Sequence, residues 1–223
     1  MKTLDRVLQR WRIARARPYI RSGARVLDVG CADGALFRQL DALIGEGLGI
    51  DPELGRSIDP STRATASGRG PLLGVVPSER SESRDDEVGP RALPVGTHEG
   101  RCRLIAGTFP DDLPSDAGPF EVITMLAVLE HLPPEHLSGT VEACARALVP
   151  GGLVVLTVPS PAVDQILHGL RWVRLIDGMS LEEHHEFDVS RVPALFSQGG
   201  FRLVAAKKFQ LGLNNLFVFR RGP

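Results

Sequence analysis

Apolar positions along the chain keep two rhythms in turn. Leu4, Val7, Leu8, Trp11 and Ala14 follow helical spacing behind Thr3, with arginines between them and Pro18 near the end, which predicts an amphipathic first helix. Arg25 to Gly30 then reads as a short buried strand, and Gly34 to Leu43 as a helix with Leu36, Phe37, Leu40 and Leu43 on one side. Leu48 to Ile50 is a second strand, ending at Asp51. Strand, glycine turn, helix and strand in that order make a βαβ unit, so the sheet is expected to be parallel here. The alternation resumes with strands at Cys102 to Ala106 and Phe120 to Leu126 and a helix at Glu135 to Leu148. Pro150, Gly151 and Gly152 then turn the chain into the strand Leu153 to Val158. Val189 to Gln198 is a helix closed by Gly199 and Gly200, and Phe201 to Phe209 with Asn214 to Arg220 predicts a terminal antiparallel hairpin. The pattern is that of one α/β domain with a doubly wound sheet.

Residues 55 to 100 break that rhythm. These 46 positions hold 7 Gly, 5 Pro, 6 Ser and 6 Arg and no Phe, Trp or Tyr. Such a stretch cannot bury enough apolar surface to offset its ordering entropy, so a flexible insertion on the rim of a single domain spanning residues 1 to 223 is expected.

Composition narrows the class. With 26 basic and 27 acidic side chains the net charge is -1, and no global field marks a nucleic-acid binder. The one local excess lies before and at Arg25, where eight basic residues face Asp5 alone; a solvated helix face is the expected reading. Cys31, Cys102 and Cys144 have neither disulfide nor metal spacing and read as buried thiols of a reducing, cytoplasmic compartment. The longest apolar run, Leu153 to Val158, is far too short to span a bilayer, and the arginine-rich start has no secretory h-region.

In an open α/β sheet, ligands bind beyond the carboxyl ends of the strands. Two of those ends carry chemistry. In V-L-D-V-G-C-A-D-G, Val26 to Gly34, Gly30 lets backbone approach a ligand. Asp51, 21 residues after Gly30, stands where a carboxylate can accept both hydroxyls of an adenosine ribose. The glycine turn also fits a degenerate dinucleotide fingerprint through Gly30, Ala32 and Ala35, but Asp28 would lie close to a pyrophosphate and suits a cationic amino group better. S-adenosylmethionine has that amino group and no phosphate.

These motifs resemble those of the class I S-adenosylmethionine-dependent methyltransferases, particularly the small-molecule branch. The cofactor loop at Val26 to Gly34 is joined by I-D-P-E-L, Ile50 to Leu54, by F-E-V-I-T-M-L-A-V-L-E-H-L, Phe120 to Leu132, and by L-V-P-G-G-L-V-V-L-T-V-P, Leu148 to Pro159, in the family's order. The resemblance implies a Rossmann-like, seven-stranded, mostly parallel sheet with helices on both faces and an antiparallel last strand. It also implies that Asp28, Gly30 and Gly34 line the methionine part of S-adenosyl-L-methionine, Asp51 the ribose, the Thr108 and Phe109 backbone the adenine, and Met125 and Leu126 the sulfonium. Thr108 stands where the family often has an acid, and Ala32 replaces the usual middle glycine, which a negative φ would accommodate.

Methyl transfer from a sulfonium is an in-line displacement, and a base is needed only where the acceptor must lose a proton. His131, and His185 of the His184 and His185 pair, are the candidates. Relatives with an E-x-x-E-H element hold a divalent metal, but here Ala127 occupies the first acid position beside Glu130 and His131, so no metal is expected. The acceptor expected is a small molecule, methylated at oxygen or nitrogen, with neither nucleic acid nor a membrane span involved. Three other readings stand beside this one: a cofactor-binding but catalytically silent regulator or scaffold, an NAD-dependent oxidoreductase and, less favoured, an RNA methyltransferase.

Overall fold

The structure, a computed structural model, describes residues 3–55, 93–94, 101–160 and 187–223. Most of the expected insertion and the His184 and His185 pair lie outside the described residues. Helix α1 spans Thr3–Ala16, followed by β1 at Ala24–Val29, α2 at Ala35–Gln39 and β2 at Ile44–Asp51. Leu93–Pro94 forms a two-residue β3, then β4 runs Cys102–Ala106, β5 Phe120–Leu126, α3 Pro134–Ala147 and β6 Leu148–Pro159. Helix α4 at Val192–Gln198 leads into β7, Phe201–Phe209, and β8, Asn214–Arg221.

The strands form one sheet in the order β3-β4-β2-β1-β5-β6-β8-β7. Strands β4, β2, β1, β5 and β6 pair in parallel, and β8 runs antiparallel to both β6 and β7. This is the expected seven-stranded Rossmann-like sheet with a reversed C-terminal strand. The added β3 pairs antiparallel with β4, Leu93 opposite Leu104, and widens the sheet by one short edge.

Alternation along each strand divides the core in two. Leu27, Val29, Ile123, Met125, Val154 and Leu156 pack on the face covered by α3 and α4, where the Phe196 and Phe219 rings stack at 4.3 Å. Val26, Val122, Val155 and Val218 pack on the other face with Ile13 and Ala16 of α1 and Leu36 and Phe37 of α2.

Strand β6 starts at Leu148 instead of Leu153 and holds Pro150, Gly151 and Gly152, expected as a turn, where its register against β5 shifts. Besides β6, three elements depart from expectation for local reasons. Strand β2 starts four residues earlier than predicted, because Gly45, Gly47 and Gly49 conceal a strand that glycine disfavours. They are required by close approach: a Cβ on Gly47 would stand 2.5 Å from the Phe37 ring, and one on Gly49 2.7 Å from Cys31 Sγ. Helix α2 correspondingly shrinks to five residues.

The third departure is the orientation of α1. Its inward residues are Ile13 and Ala16, fully buried, with Asp5, Gln9 and Arg12 half-buried on the same side. Val7 and Trp11, expected to face the core, are 51% and 41% exposed. The helix is therefore rotated toward a face that is apolar at one end and polar at the other.

Candidate functional site

The carboxyl ends of β1 and β5 open into a cleft of about 240 Å³ roofed by α1. Asp28, Gly30 and Ala32 line its floor, Leu126 and Ala127 one wall, and Gln9 and Arg12 its roof. Register explains why these groups meet. Asp28 of β1 lies opposite Thr124 of β5 and Gly49 of β2, and strand alternation sends Asp28, Thr124 and Leu126 to the α1 side.

Asp28 is only 4% exposed, and its Oδ1 accepts a 2.6 Å hydrogen bond from the Thr124 hydroxyl. Burial pushes its carboxyl up to about 7; the Thr124 hydroxyl opposes that shift and the negative charge of Asp51 adds to it. A buried carboxyl so placed is poised to ionise when a cation enters the cleft.

Asp51 closes the end of β2. Its Oδ2 accepts from the Ala32 N–H and its Oδ1 from the Glu53 N–H, both at 2.8 Å. Each oxygen retains a second lone pair, so the carboxylate is held in one orientation while remaining able to accept from a diol. The loop it grips is tightly wound. Gly30, Ala32 and Gly34 all have positive φ, at 72°, 46° and 74°. The negative φ expected at Ala32 is thus corrected: the residue adopts the left-handed conformation that the family's glycine would favour, and the Asp51 hydrogen bond secures it there. Gly30 has a second constraint, since a Cβ there would stand 2.4 Å from Val128 Cγ2. Gly34 donates to the Cys31 carbonyl at 2.8 Å and caps α2 without lining the cleft's floor.

The expected sulfonium pair separates. Leu126 lines the cleft, whereas the Met125 side chain is fully buried on the opposite face of the sheet, against the α3 side. Met125 is corrected to a core residue, because consecutive strand residues point to opposite faces. Ala127 continues the wall with a positive φ of 62° and donates to the Thr157 carbonyl at 3.0 Å.

At the end of β4, the Thr108 N–H donates to Asp112 Oδ2 at 2.8 Å, and Phe109 is buried in the core. The Thr108 amide is thus already engaged, and a carboxylate four residues on stands beside the position where the family's acid is missing. His131 sits exposed on the single turn Leu129–His131 after β5, next to Glu130, which is 4% exposed. His131 does not belong to the cleft's lining. Among the described residues no group of three His, Cys, Asp or Glu side chains could hold a metal.

Inspection of motifs missed Arg12, Gln9 and Thr124. The first two had a signal, since Asp5, Gln9 and Arg12 recur at helical spacing with Ile13 and Ala16. Counting only apolar positions selected the wrong face. Thr124 is visible only once β1 and β5 are known to be neighbours.

A glycine turn between two carboxylate-ended parallel strands, with a cleft over the sheet's switch point, defines a Rossmann-like nucleoside-cofactor domain. Residues 2–206 match the family described as "Methyltransferase domain", and the chain belongs to that family. It is a class I methyltransferase domain, the class whose methyl donor is S-adenosylmethionine.

Over 133 residues the chain is 31% identical to the ubiquinone biosynthesis O-methyltransferase of Nitrosococcus oceani, a match covering 60% of this chain and 42% of that relative. The chain thus spans less than half of that protein's length. Its fold is similar to the N-methyltransferase NodS of Bradyrhizobium japonicum, solved with S-adenosylhomocysteine, at a TM-score of 0.59 and 16% identity, covering 97% of this chain and 88% of that one. The 1,6-didemethyltoxoflavin-N1-methyltransferase of Burkholderia thailandensis gives a TM-score of 0.59 at 15% identity, covering 97% and 79%.

Proposed function

We propose that this domain binds S-adenosylmethionine and transfers its methyl group to an oxygen or nitrogen of a small-molecule acceptor. One observation carries the reading: Asp28 and Asp51, both buried carboxylates, end adjacent parallel strands on either side of the Gly30 turn. The donor set fits the cofactor. Asp28 offers a negative group to an ammonium, Asp51 two acceptors to a ribose diol, and the pairing of two carboxylates around the turn disfavours a pyrophosphate.

When bound, the cofactor supplies a methyl on a cationic sulfur; the C–S bond breaks as a C–O or C–N bond forms, and the sulfur keeps the electron pair. The chain's part is alignment and exclusion of water. Leu126 and Ala127 form an apolar wall, and the rigid Asp51–Ala32 link holds the loop beneath the ligand. Where the acceptor must lose a proton, His131 or His185 takes it.

The domain is read as one unit interrupted by the segment 55 to 100. The burial of all three cysteines, Cys31, Cys102 and Cys144, supports a reducing compartment, the cytoplasm. No helix among the described residues is long and apolar enough to cross a membrane. The relatives' O- and N-directed activities support a small-molecule acceptor without selecting its atom. Titration calorimetry with S-adenosylhomocysteine and, separately, NAD tests the reading. Saturable one-to-one binding of the first alone supports it, and binding of NAD alone overturns it.

A further inference from the structure

The solvent face of α1 differs in composition from the face over the cleft. Helical spacing puts Val7, Trp11 and Ala14 on one outward stripe, with Pro18 just beyond it, and all four are exposed. Arg6, Arg10 and Arg17 flank the stripe on one side and Arg15 on the other, again all exposed. Asp5, the helix's one acidic residue, lies on the opposite side and lines the cleft. The outward face is thus an apolar centre between cations, with no anion of its own helix beside it.

Tertiary contacts continue this face beyond the helix. The Arg15 guanidinium stands 6.0 Å from the centroid of the Phe209 ring at the end of β7, and Lys207 Nζ 5.6 Å from that of the Tyr19 ring, just after α1. Two residues past Phe209, Leu211 occupies the turn between β7 and β8, 99% exposed at a φ of 58°. A leucine in the left-handed conformation is strained, and here it buries no apolar surface in return. On the other flank, Arg6 and Arg10 line a cavity of about 560 Å³ between α1 and α2 together with Arg38, which pairs with Asp33.

We propose that the outer side of α1 and the Leu211 turn dock on an anionic phospholipid bilayer. Val7, Trp11 and Leu211 enter the headgroup boundary, and the flanking arginines with Lys207 meet the lipid phosphates. Charge complementarity selects this occupant. The chain as a whole carries a net charge of -1, so the basic excess is local, and an apolar stripe between basic flanks is the pattern of a helix that lies in a lipid interface. A nucleic acid would meet the same arginines but leave Val7 and Leu211, which have no ring to stack on a base, in water. Because α1 also roofs the cleft, docking holds the cleft about one helix diameter, ~10 Å, from the lipid surface. Docking in this manner spans nothing and is independent of the cofactor reading.

Flotation of the full chain with vesicles of pure phosphatidylcholine, and of phosphatidylcholine with about one third phosphatidylglycerol, tests the proposal. Wild type should partition at least about tenfold more strongly onto the anionic vesicles, and added salt should weaken that preference. Trp11→Ala and Leu211→Asn, the latter tolerant of the left-handed conformation, should each cut the partition by about fivefold. Arg10→Glu combined with Arg15→Glu should bring it down to the phosphatidylcholine level. Melting curves of the variants separate lost docking from lost folding. In Trp172→Phe, where Trp11 is the one remaining tryptophan, emission should shift to the blue when anionic vesicles are added. Partition no stronger than onto phosphatidylcholine overturns the proposal, as does partition that Trp11→Ala and Leu211→Asn leave unchanged. Preference for polyuridylate over the anionic vesicles at equal phosphate concentration also overturns it and reassigns the face to nucleic acid.

Discussion

The Asp51 carboxylate accepts a hydrogen bond from the Ala32 backbone N–H at 2.8 Å, fastening the end of β2 to the loop that leaves β1. The contact spans 19 residues and holds a non-glycine residue at a φ of 46°. Two outcomes follow. Ala32→Gly removes the left-handed penalty and should raise stability by about 1 kcal/mol, seen as a higher melting temperature with cofactor affinity kept. Asp51→Ala should instead lower both, with more than a tenfold loss in affinity for S-adenosylhomocysteine. Unchanged affinity would remove Asp51 from the site.

Gly30 is constrained by both conformation and space. Its φ is +72°, and an added Cβ would meet Val128 Cγ2 at 2.4 Å. Gly30→Ala should cost about 2 kcal/mol or more, read by urea denaturation. In the same chain Gly23 also has a positive φ, +76°, but an added Cβ there would meet nothing within 4 Å. Gly23→Ala should therefore cost only the conformational part, about 1 kcal/mol. Equal effects of the two substitutions would show that Val128 yields.

Most of the fold was legible because its signals are local. Strands β4, β5 and β7 begin and end where the apolar runs do, whereas the P-G-G segment expected as a turn lies inside β6, where the register against β5 shifts. The concealed elements are those whose residues answer to tertiary contacts. The glycines of β2 make room for Phe37 and Cys31, and α1 turns its polar stripe inward because an open cleft, rather than the core, lies beneath it. Asp28, Gly30 and Asp51 were readable from motif spacing. Met125 was misplaced by one residue's parity, and Thr124 and Arg12 required knowledge of which strands and helices are neighbours.

The candidate bases for the acceptor are His131, which does not line the cleft, and His185. His131 is exposed on the turn after β5, and His185 lies outside the described residues. If one of them is the base, its replacement by alanine should cut turnover by about 10² or more while leaving S-adenosylhomocysteine affinity within twofold. Where both single variants and the double variant turn over near the wild-type rate, transfer proceeds on an acceptor that is already deprotonated, and neither histidine is catalytic.

Asp28 also makes the site respond to pH. Its carboxyl is raised by burial from 3.8 to about 7, and Glu130 is raised by burial from 4.5 to about 7. The folded state therefore binds protons that the unfolded chain has released, so stability without ligand is greatest below pH about 4 as far as these two groups decide it, and falls as pH rises toward 7. A cationic ammonium in the cleft reverses the preference at Asp28 by favouring its charged form. Binding of S-adenosylhomocysteine near pH 6 should thus release a proton, and affinity should climb between pH 5.5 and 7.5 by up to about tenfold per unit for each coupled group. Calorimetry at pH 6 in buffers of different ionisation enthalpy reads the proton directly. Asp28→Asn should abolish its part of the release and flatten the stability profile. Glu130→Gln should leave the Asp28 part in place, and proton release that survives Asp28→Asn in full would locate the coupling elsewhere.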